Sequence, residues 1–172
     1  MLLQQLIIVR HAKSDWSNDV LEDFQRPLSE RGENDARTMA SWIAQNIKKP
    51  EYIVSSPAKR ASQTVMEISS AFGLNEQNIQ FDEDVYLASL PTLLSVISSI
   101  PDTYSSAMLV GHNPGLENLL LYLSKDIPPY TSEGKLFTTA NVAVLNCINT
   151  ELPRFEEKSY HLESLTRPSD VS

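Results

Sequence analysis

Cysteine, glycine and positive charge are all scarce in this chain. The lone cysteine, Cys147, excludes a disulfide framework; it lies in the apolar stretch Val142 to Ile148 and reads as a buried strand thiol. The five glycines form no Gly-rich phosphate loop, which argues against a nucleotide-dependent kinase or GTPase. Three histidines, with no cysteine or carboxylate at ligand spacing, make a poor metal site, so no metal and no cofactor are expected. Lys and Arg number 14 against 22 Asp and Glu, a net charge of -8 that would repel nucleic acid and anionic membranes. An anionic ligand must then be met by a local cluster of cations. The start Met-Leu-Leu-Gln-Gln has no basic flank, and the apolar run after it is broken by Arg10 and Lys13. Neither a signal peptide nor a membrane span is expected, and the setting reads as cytoplasmic.

What the chain does have is enough apolar matter for a core, 41% of 172 residues, with no linker long enough to divide it. One domain over 1–172 is expected, with a core of about 6–150 that carries the motifs and a polar tail over 151–172 that forms an edge strand or stays loose. Short apolar runs read as strands at Leu6 to Val9, Tyr52 to Ser55, Ile79 to Phe81, Ala107 to Val110 and Val142 to Ile148. Between them three sets of residues fall on helical faces: Ala36, Ala40, Ile43 and Ile47; Ala61, Val65, Ile68 and Phe72; Leu90, Leu93, Leu94 and Ile97. Ser29, Ser89 with Pro91, and Asn113-Pro114 mark helix starts, and Gly73 a stop. Strands alternating with helices predict a three-layer α/β/α sandwich around a mostly parallel sheet.

In such sheets ligands bind beyond the carboxyl ends of the strands, where the following helices present their amino termini. Arg10-His11 ends the first strand, His112 ends another in MLVGHNPG, and Arg60 follows a third in SSPAKRASQT, where Pro57 suggests the first turn of a helix. A histidine at a strand end is commonly just a hydrogen-bonded loop residue, and an arginine at a helix start commonly forms a salt bridge tying helix to loop. The positive helix end, however, disfavours a cation unless an anion is nearby. Two arginines and two imidazoles converging on exposed backbone amides make a socket for a dianion, most naturally a phosphoryl group.

Taken in order, IVRHAKSDW, DFQRPLSERG, SSPAKRASQT, VGHNPG and FTTANVAVL resemble the histidine phosphatase superfamily, and within it the SixA-type phosphohistidine phosphatases, with Ala12 after the Arg-His pair and Phe137-Thr138-Thr139 later. The resemblance covers about Leu6 to Leu145 and implies a phosphoglycerate mutase-like fold. It implies that His11 is a nucleophile that becomes transiently phosphorylated, and that Arg10, Arg60 and His112 hold the phosphoryl oxygens. The glutamate that ester-cleaving members place after the third strand is not matched in FDEDVYLASL, where Glu83 and Asp84 stand at the wrong spacing. Such an acid matters less for a P–N bond, because the leaving imidazole has a reference pKa of about 6.5.

The expected function is therefore a metal-independent phosphohistidine (phosphoramidate) phosphatase acting on a phosphohistidine-bearing protein or a small phosphoramidate. The rivals are a less specific small-molecule phosphomonoesterase and an idle phospho-ligand binding module. Trp16 follows the catalytic loop and is a candidate for the pocket mouth. Arg26 is a candidate for the phosphate or substrate rim, its alternative being a pair with Asp23 or another acid. Trp42 reads as helix packing, His161 as an exposed or strand-capping residue, and Glu30, Glu33 and Asp35 as acids favoured by a helix amino terminus.

Overall fold

The computed structural model describes residues 3–148 and 154–171. Its centre is a six-stranded sheet in the order β3-β2-β4-β1-β5-β6, built from β1 (Gln5–Arg10), β2 (Tyr52–Ser55), β3 (Ile79–Phe81), β4 (Ser106–Gly111), β5 (Val142–Cys147) and β6 (Tyr160–Thr166). Strands β3, β2, β4 and β1 pair in parallel, and β5 is antiparallel to β1 and β6. The helices are α1 (Glu30–Asn46), α2 (Lys59–Ala71), α3 (Leu90–Ser98), α4 (Gly115–Leu123) and the short α5 (Pro168–Val171).

Both sheet faces are covered, which is why the first strand is apolar from Leu6 to Val9. Leu6 and Ile8 enter a cluster with Leu93, Ile97, Leu116 and Leu119 of α3 and α4. Ile7 and Val9 enter a second cluster with Ala36, Met39, Ile43, Val65 and Ile68 of α1 and α2. This is the pattern of a strand buried on both sides, and each fully buried Leu or Ile contributes about 1.5–3 kcal/mol. Extending the alternation one step places Arg10 on the α3/α4 face and His11 on the α1/α2 face. In β4, Ala107 and Leu109 share the first cluster and Met108 and Val110 the second, so His112 follows onto the same face as His11.

The helix starts obey their sequence signals. Ser29 caps α1 by accepting the Gly32 N–H at 3.1 Å, Ser89 caps α3, and α4 follows Pro114. Gly73, at φ +71°, follows the last turn of α2. At Gly32 a methyl group would come within 2.0 Å of the Lys13 carbonyl oxygen, so the first turn of α1 touches the loop that leaves His11. The tail supplies β6, an edge strand, followed by α5; its opening residues 151–153 lie outside those described.

Two expectations need correction. β5 ends at Cys147, and Ile148 lies outside it, exposed. Cys147 is half-buried rather than buried, because it sits at the strand end against only one side of the core. Trp42 packs against the α1/α2 cluster and His161 is exposed on β6. No helix among the described residues is long and apolar enough to cross a membrane.

Candidate active site

Register places the histidines. Arg10 of β1 lies opposite Gly111 of β4, and the His11 N–H donates to the Gly111 carbonyl at 3.0 Å, so the two Arg/Gly-His ends run side by side. The His11 and His112 ring centroids are 5.0 Å apart. Strand β2 pairs with β4 on its other side, and the Ser56 N–H donates to Val110 at 3.0 Å, which carries Ser56 beside His112 and starts α2 with Arg60 in its first turn. The segment Phe137 to Asn141 wraps the same strand end from the other side: the Arg10 N–H donates to Asn141 and the Ala140 N–H to the His11 carbonyl, each at 3.1 Å.

The two ring nitrogens of His11 have unlike partners. Its Nδ1 lies 2.7 Å from the Ala12 carbonyl, which can only accept, so the proton resides on Nδ1 and Nε2 carries the lone pair. Arg60 Nε donates to that Nε2 at 3.3 Å. Burial drives the His11 pKa down to about 4; the Ala12 hydrogen bond and Asp23 oppose this, while Arg60 and Arg10 add to it. At neutral pH the ring is uncharged, the form in which an imidazole can act as a nucleophile.

His112 is pushed down to about 3, first by burial and then by His11 and Arg60. Its Nε2 is 2.8 Å from Ser56 Oγ, which already accepts the Ala58 N–H at 3.2 Å. With no other acceptor for the hydroxyl among the described residues, its proton goes to Nε2, and His112 carries its own proton on Nδ1. That Nδ1 is buried and has no protein partner among the described residues, the state of a donor prepared for a ligand oxygen.

The two arginines are held differently. Arg10 Nη1 donates to the Phe137 carbonyl at 2.9 Å; Asn113 donates to the same oxygen at 2.7 Å, and Glu117 accepts the Phe137 N–H at 3.2 Å. Burial lowers the Arg10 pKa, the Glu117 charge raises it, and Arg60 lowers it again. Arg60 makes the salt bridge that was its alternative reading, with Asp23 at 2.9 Å, while its Nε still faces His11. Thr64, one turn along α2, donates to the Arg60 carbonyl at 2.7 Å and accepts the Ala12 N–H at 3.0 Å, joining the helix to the nucleophile loop.

Trp16 and Arg26 come together as a pair, with the Arg26 guanidinium 4.2 Å from the indole centroid and Nη1 donating to the Asn18 carbonyl at 3.0 Å. Neither is hydrogen-bonded to His11, Arg10, Arg60 or His112. The Asp23 side chain suggested as a partner for Arg26 is taken by Arg60 instead. Glu83 and Asp84 are exposed on a turn of 3₁₀ helix, away from any hydrogen bond to the pocket. Sequence reading gave no role to Ser56, Tyr86 and Glu117, placed Asn113 only at a helix start, and named Asp23 only as a possible partner of Arg26. The first stands inside a quoted motif, beside the strand end, and that position was its only signal.

The family model of the histidine phosphatase superfamily (branch 1) matches residues 6–85. An uncharacterized chloroplastic protein of Arabidopsis thaliana is 35% identical over 130 residues, 70% of this chain and 59% of its own length, so the match spans less than two thirds of that relative. Phosphohistidine phosphatase SixA of Escherichia coli is 26% identical over 140 residues, covering 81% of this chain and 83% of SixA. The crystal structure of the Agrobacterium tumefaciens protein named SixA superimposes with a TM-score of 0.78 at 28% identity, over 97% of this chain and 99% of that one. Strand-end chemistry, fold and relatives agree: the chain is similar to the histidine phosphatase superfamily over residues 6–85, and along nearly its whole length to the Agrobacterium tumefaciens protein named SixA.

Proposed function

We propose that this protein hydrolyses phosphohistidine or a related phosphoramidate through a phosphorylated His11, without a metal or cofactor and as one domain over 1–172. The observation that carries the reading is the fixed tautomer of His11, with Nδ1–H on the Ala12 carbonyl and the lone pair on Nε2, where Arg60 Nε donates at 3.3 Å until a phosphoryl group takes its place. Nε2 bonds to phosphorus as the substrate's P–N bond breaks, and the bonding pair leaves on the substrate imidazole, whose other nitrogen already carries a proton. The new phosphoimidazolium keeps its Nδ1–H on Ala12. Water then attacks phosphorus, returning neutral His11 and dihydrogen phosphate.

Arg10, Arg60 and the Nδ1–H of His112 are assigned to the phosphoryl oxygens, where they offset charge that spreads in the transition state. The carboxyl groups fit a P–N bond better than an ester. Asp23, beside Arg60, is held below the usual carboxylate range, and Glu83 and Asp84 are turned to solvent. None is placed to protonate an alkoxide. The printed name of the Escherichia coli relative points the same way. Trp16 and Arg26 are assigned to the substrate rim, and the substrate is a phosphohistidine-bearing protein or a small phosphoramidate. One cysteine suits a reducing compartment, and we place the protein in the cytoplasm.

The test is an alkaline detergent quench after mixing with labelled phosphoramidate, followed by a comparison of leaving groups. A base-stable, acid-labile phosphoenzyme should form and vanish in His11→Ala, and phosphohistidine should turn over far faster than alkyl phosphates. Normal turnover by His11→Ala would overturn the covalent mechanism. Alkyl phosphates rivalling phosphohistidine in kcat/KM would make the protein a general phosphomonoesterase, and phosphate binding without turnover an idle binding module.

A further inference from the structure

Asp23 is the carboxylate that meets the reacting groups; it opens the motif DFQRPLSERG, where the sequence suggested it only as a partner for Arg26. It opens a turn of 3₁₀ helix (Asp23–Gln25) in the loop between β1 and α1. Its backbone carbonyl accepts from Arg60 Nη1 at 2.7 Å and its Oδ2 from Nη2 at 2.9 Å. One residue thus grips both terminal nitrogens of the guanidinium, while Nε is left to point at His11 Nε2. Behind the carboxylate, Tyr86 donates to the same Oδ2 at 2.5 Å. The Tyr86 ring stands edge-on to Phe24 and to His112, with centroids 5.0 and 5.4 Å away.

The loop that carries Asp23 is itself pinned. Ser14 bridges to Leu28, the Leu28 N–H donates to Gln63 of α2 at 2.8 Å, and Arg26 is buried against Trp16. Partial burial pushes the Asp23 carboxyl up, but the bonds from Tyr86 and Arg60 and the Arg60 charge outweigh it, so the group stays ionised. An ionised carboxylate that only accepts hydrogen bonds is no proton donor. Nor does it exhaust Arg60: each terminal nitrogen has a second N–H, and the Nε–H is turned to His11 Nε2, the atom across which the phosphoryl group is transferred. Arg60 is a long side chain at a helix amino terminus, close to another arginine, where nothing but an anion would keep it folded inward.

We propose that Asp23, braced by Tyr86, is a positioning residue that fixes the Arg60 guanidinium so that its Nε edge meets the phosphoryl group in transfer to and from His11. The assignment rests on the roles given above to Arg60 and His11, but not on the identity of the leaving group. A misplacement of about 1 Å at such a contact can cost on the order of a hundredfold in rate.

The experiment uses the full chain with phosphoramidate and an activated aryl phosphate, single-turnover rates, and orthovanadate as a probe of the transition-state geometry. Asp23→Asn keeps the shape and removes the charge; kcat should fall about 10- to 50-fold with KM changed less than about threefold, and vanadate should bind correspondingly more weakly. Tyr86→Phe should lose about three- to fivefold, in the same parameter. In the Arg60→Ala background, Asp23→Asn should cost almost nothing further, because its effect runs through Arg60. The proposal fails if Asp23→Asn costs the same factor with and without Arg60, or if it only lowers the melting temperature at unchanged kcat. It also fails if vanadate binds more tightly, which would make the carboxylate an occupant of the phosphoryl seat. If Asp23→Asn does not fold, Tyr86→Phe and its cycle with Arg60→Ala decide by the same criteria. Turnover by His11→Ala would sink the covalent mechanism while leaving the vanadate cycle at Asp23 and Arg60 to be read separately.

Discussion

Arg10 and Arg60 reach the same pocket from opposite faces of the sheet, and the chain secures them by unlike means. Arg60, nearly buried, has its terminal nitrogens on a carboxylate and a carbonyl of one residue. Arg10 rests on a neutral carbonyl, that of Phe137, whose peptide is in turn held by Asn113 and Glu117. A charged partner fixes the guanidinium tightly but takes away part of its field; a carbonyl partner leaves the field intact and fixes less. The pocket therefore combines one well-oriented cation with one less neutralised cation. A dianion that must be both aligned and attracted needs both.

Removing either arginine gives the largest expected effect. Arg10→Ala and Arg60→Ala should each lower kcat/KM by about 10²- to 10³-fold, the range for losing a donor to a developing oxyanion. Thermal melts should then separate them. Arg60→Ala leaves Asp23 and Tyr86 without their cation and should lower Tm, whereas Arg10→Ala leaves the Phe137 carbonyl bonded to Asn113 and should change Tm little. Equal shifts in Tm would break the contrast.

Ser56→Ala comes next, with a loss of about tenfold in kcat, because nothing then compels His112 to keep its proton on Nδ1. Ring ¹⁵N shifts should show Nδ1 protonated in the parent and a tautomer mixture in the variant. Glu117→Gln should cost about threefold and act on the Arg10 side alone, so its effect should disappear in an Arg10→Ala background while persisting in Arg60→Ala. Glu83→Gln should change phosphohistidine turnover by less than about twofold, since removing a true proton donor costs on the order of a hundredfold.

The pH dependence follows from the lowered histidines. NMR titration should give midpoints of about 4 for His11 and about 3 for His112. In the unfolded chain both rings protonate near the ordinary value of 6.5. Below that pH the unfolded state binds more protons than the folded one, so stability should fall as pH drops, less steeply once His11 protonates near about 4, and level off below about 3 where the folded His112 protonates too. Denaturant melts between neutral and acid pH check the sign.

The parts of this site that were legible in the sequence are those that sit where a strand ends. His11, His112 and Arg60 could be placed from apolar runs and helix-start signals, because β/α alternation delivers such ends to one rim. Asp23 and Tyr86 could not: they meet across a sequence separation of 63, in a loop and a short turn without period. The acids singled out after the third strand, Glu83 and Asp84, stand next to that answer, three and two positions before Tyr86, and point away from the site. The polar tail was read as either an edge strand or a loose end because β6 alternates only weakly, with half-buried residues on both faces. Its pairing with β5 supplies what the pattern lacked. Cys147 was read from its apolar neighbours as if the strand continued past it, and strand ends are where such extrapolation fails.

The pairing of Arg10 with Gly111 has a bearing on how such a chain can change over generations. The two histidines face each other because two ladders of main-chain hydrogen bonds stop at the same rung, not because their own contacts bring them there. Swaps among Leu, Ile and Met beneath them leave that rung in place, and cores absorb such swaps at modest cost. Losing or gaining a single residue in β1 or β4 does not: it turns an imidazole to the opposite face of the sheet while the rest of the strand can still pack after a slip. Drift by substitution is thus open to the interior of these strands, and drift by length is closed.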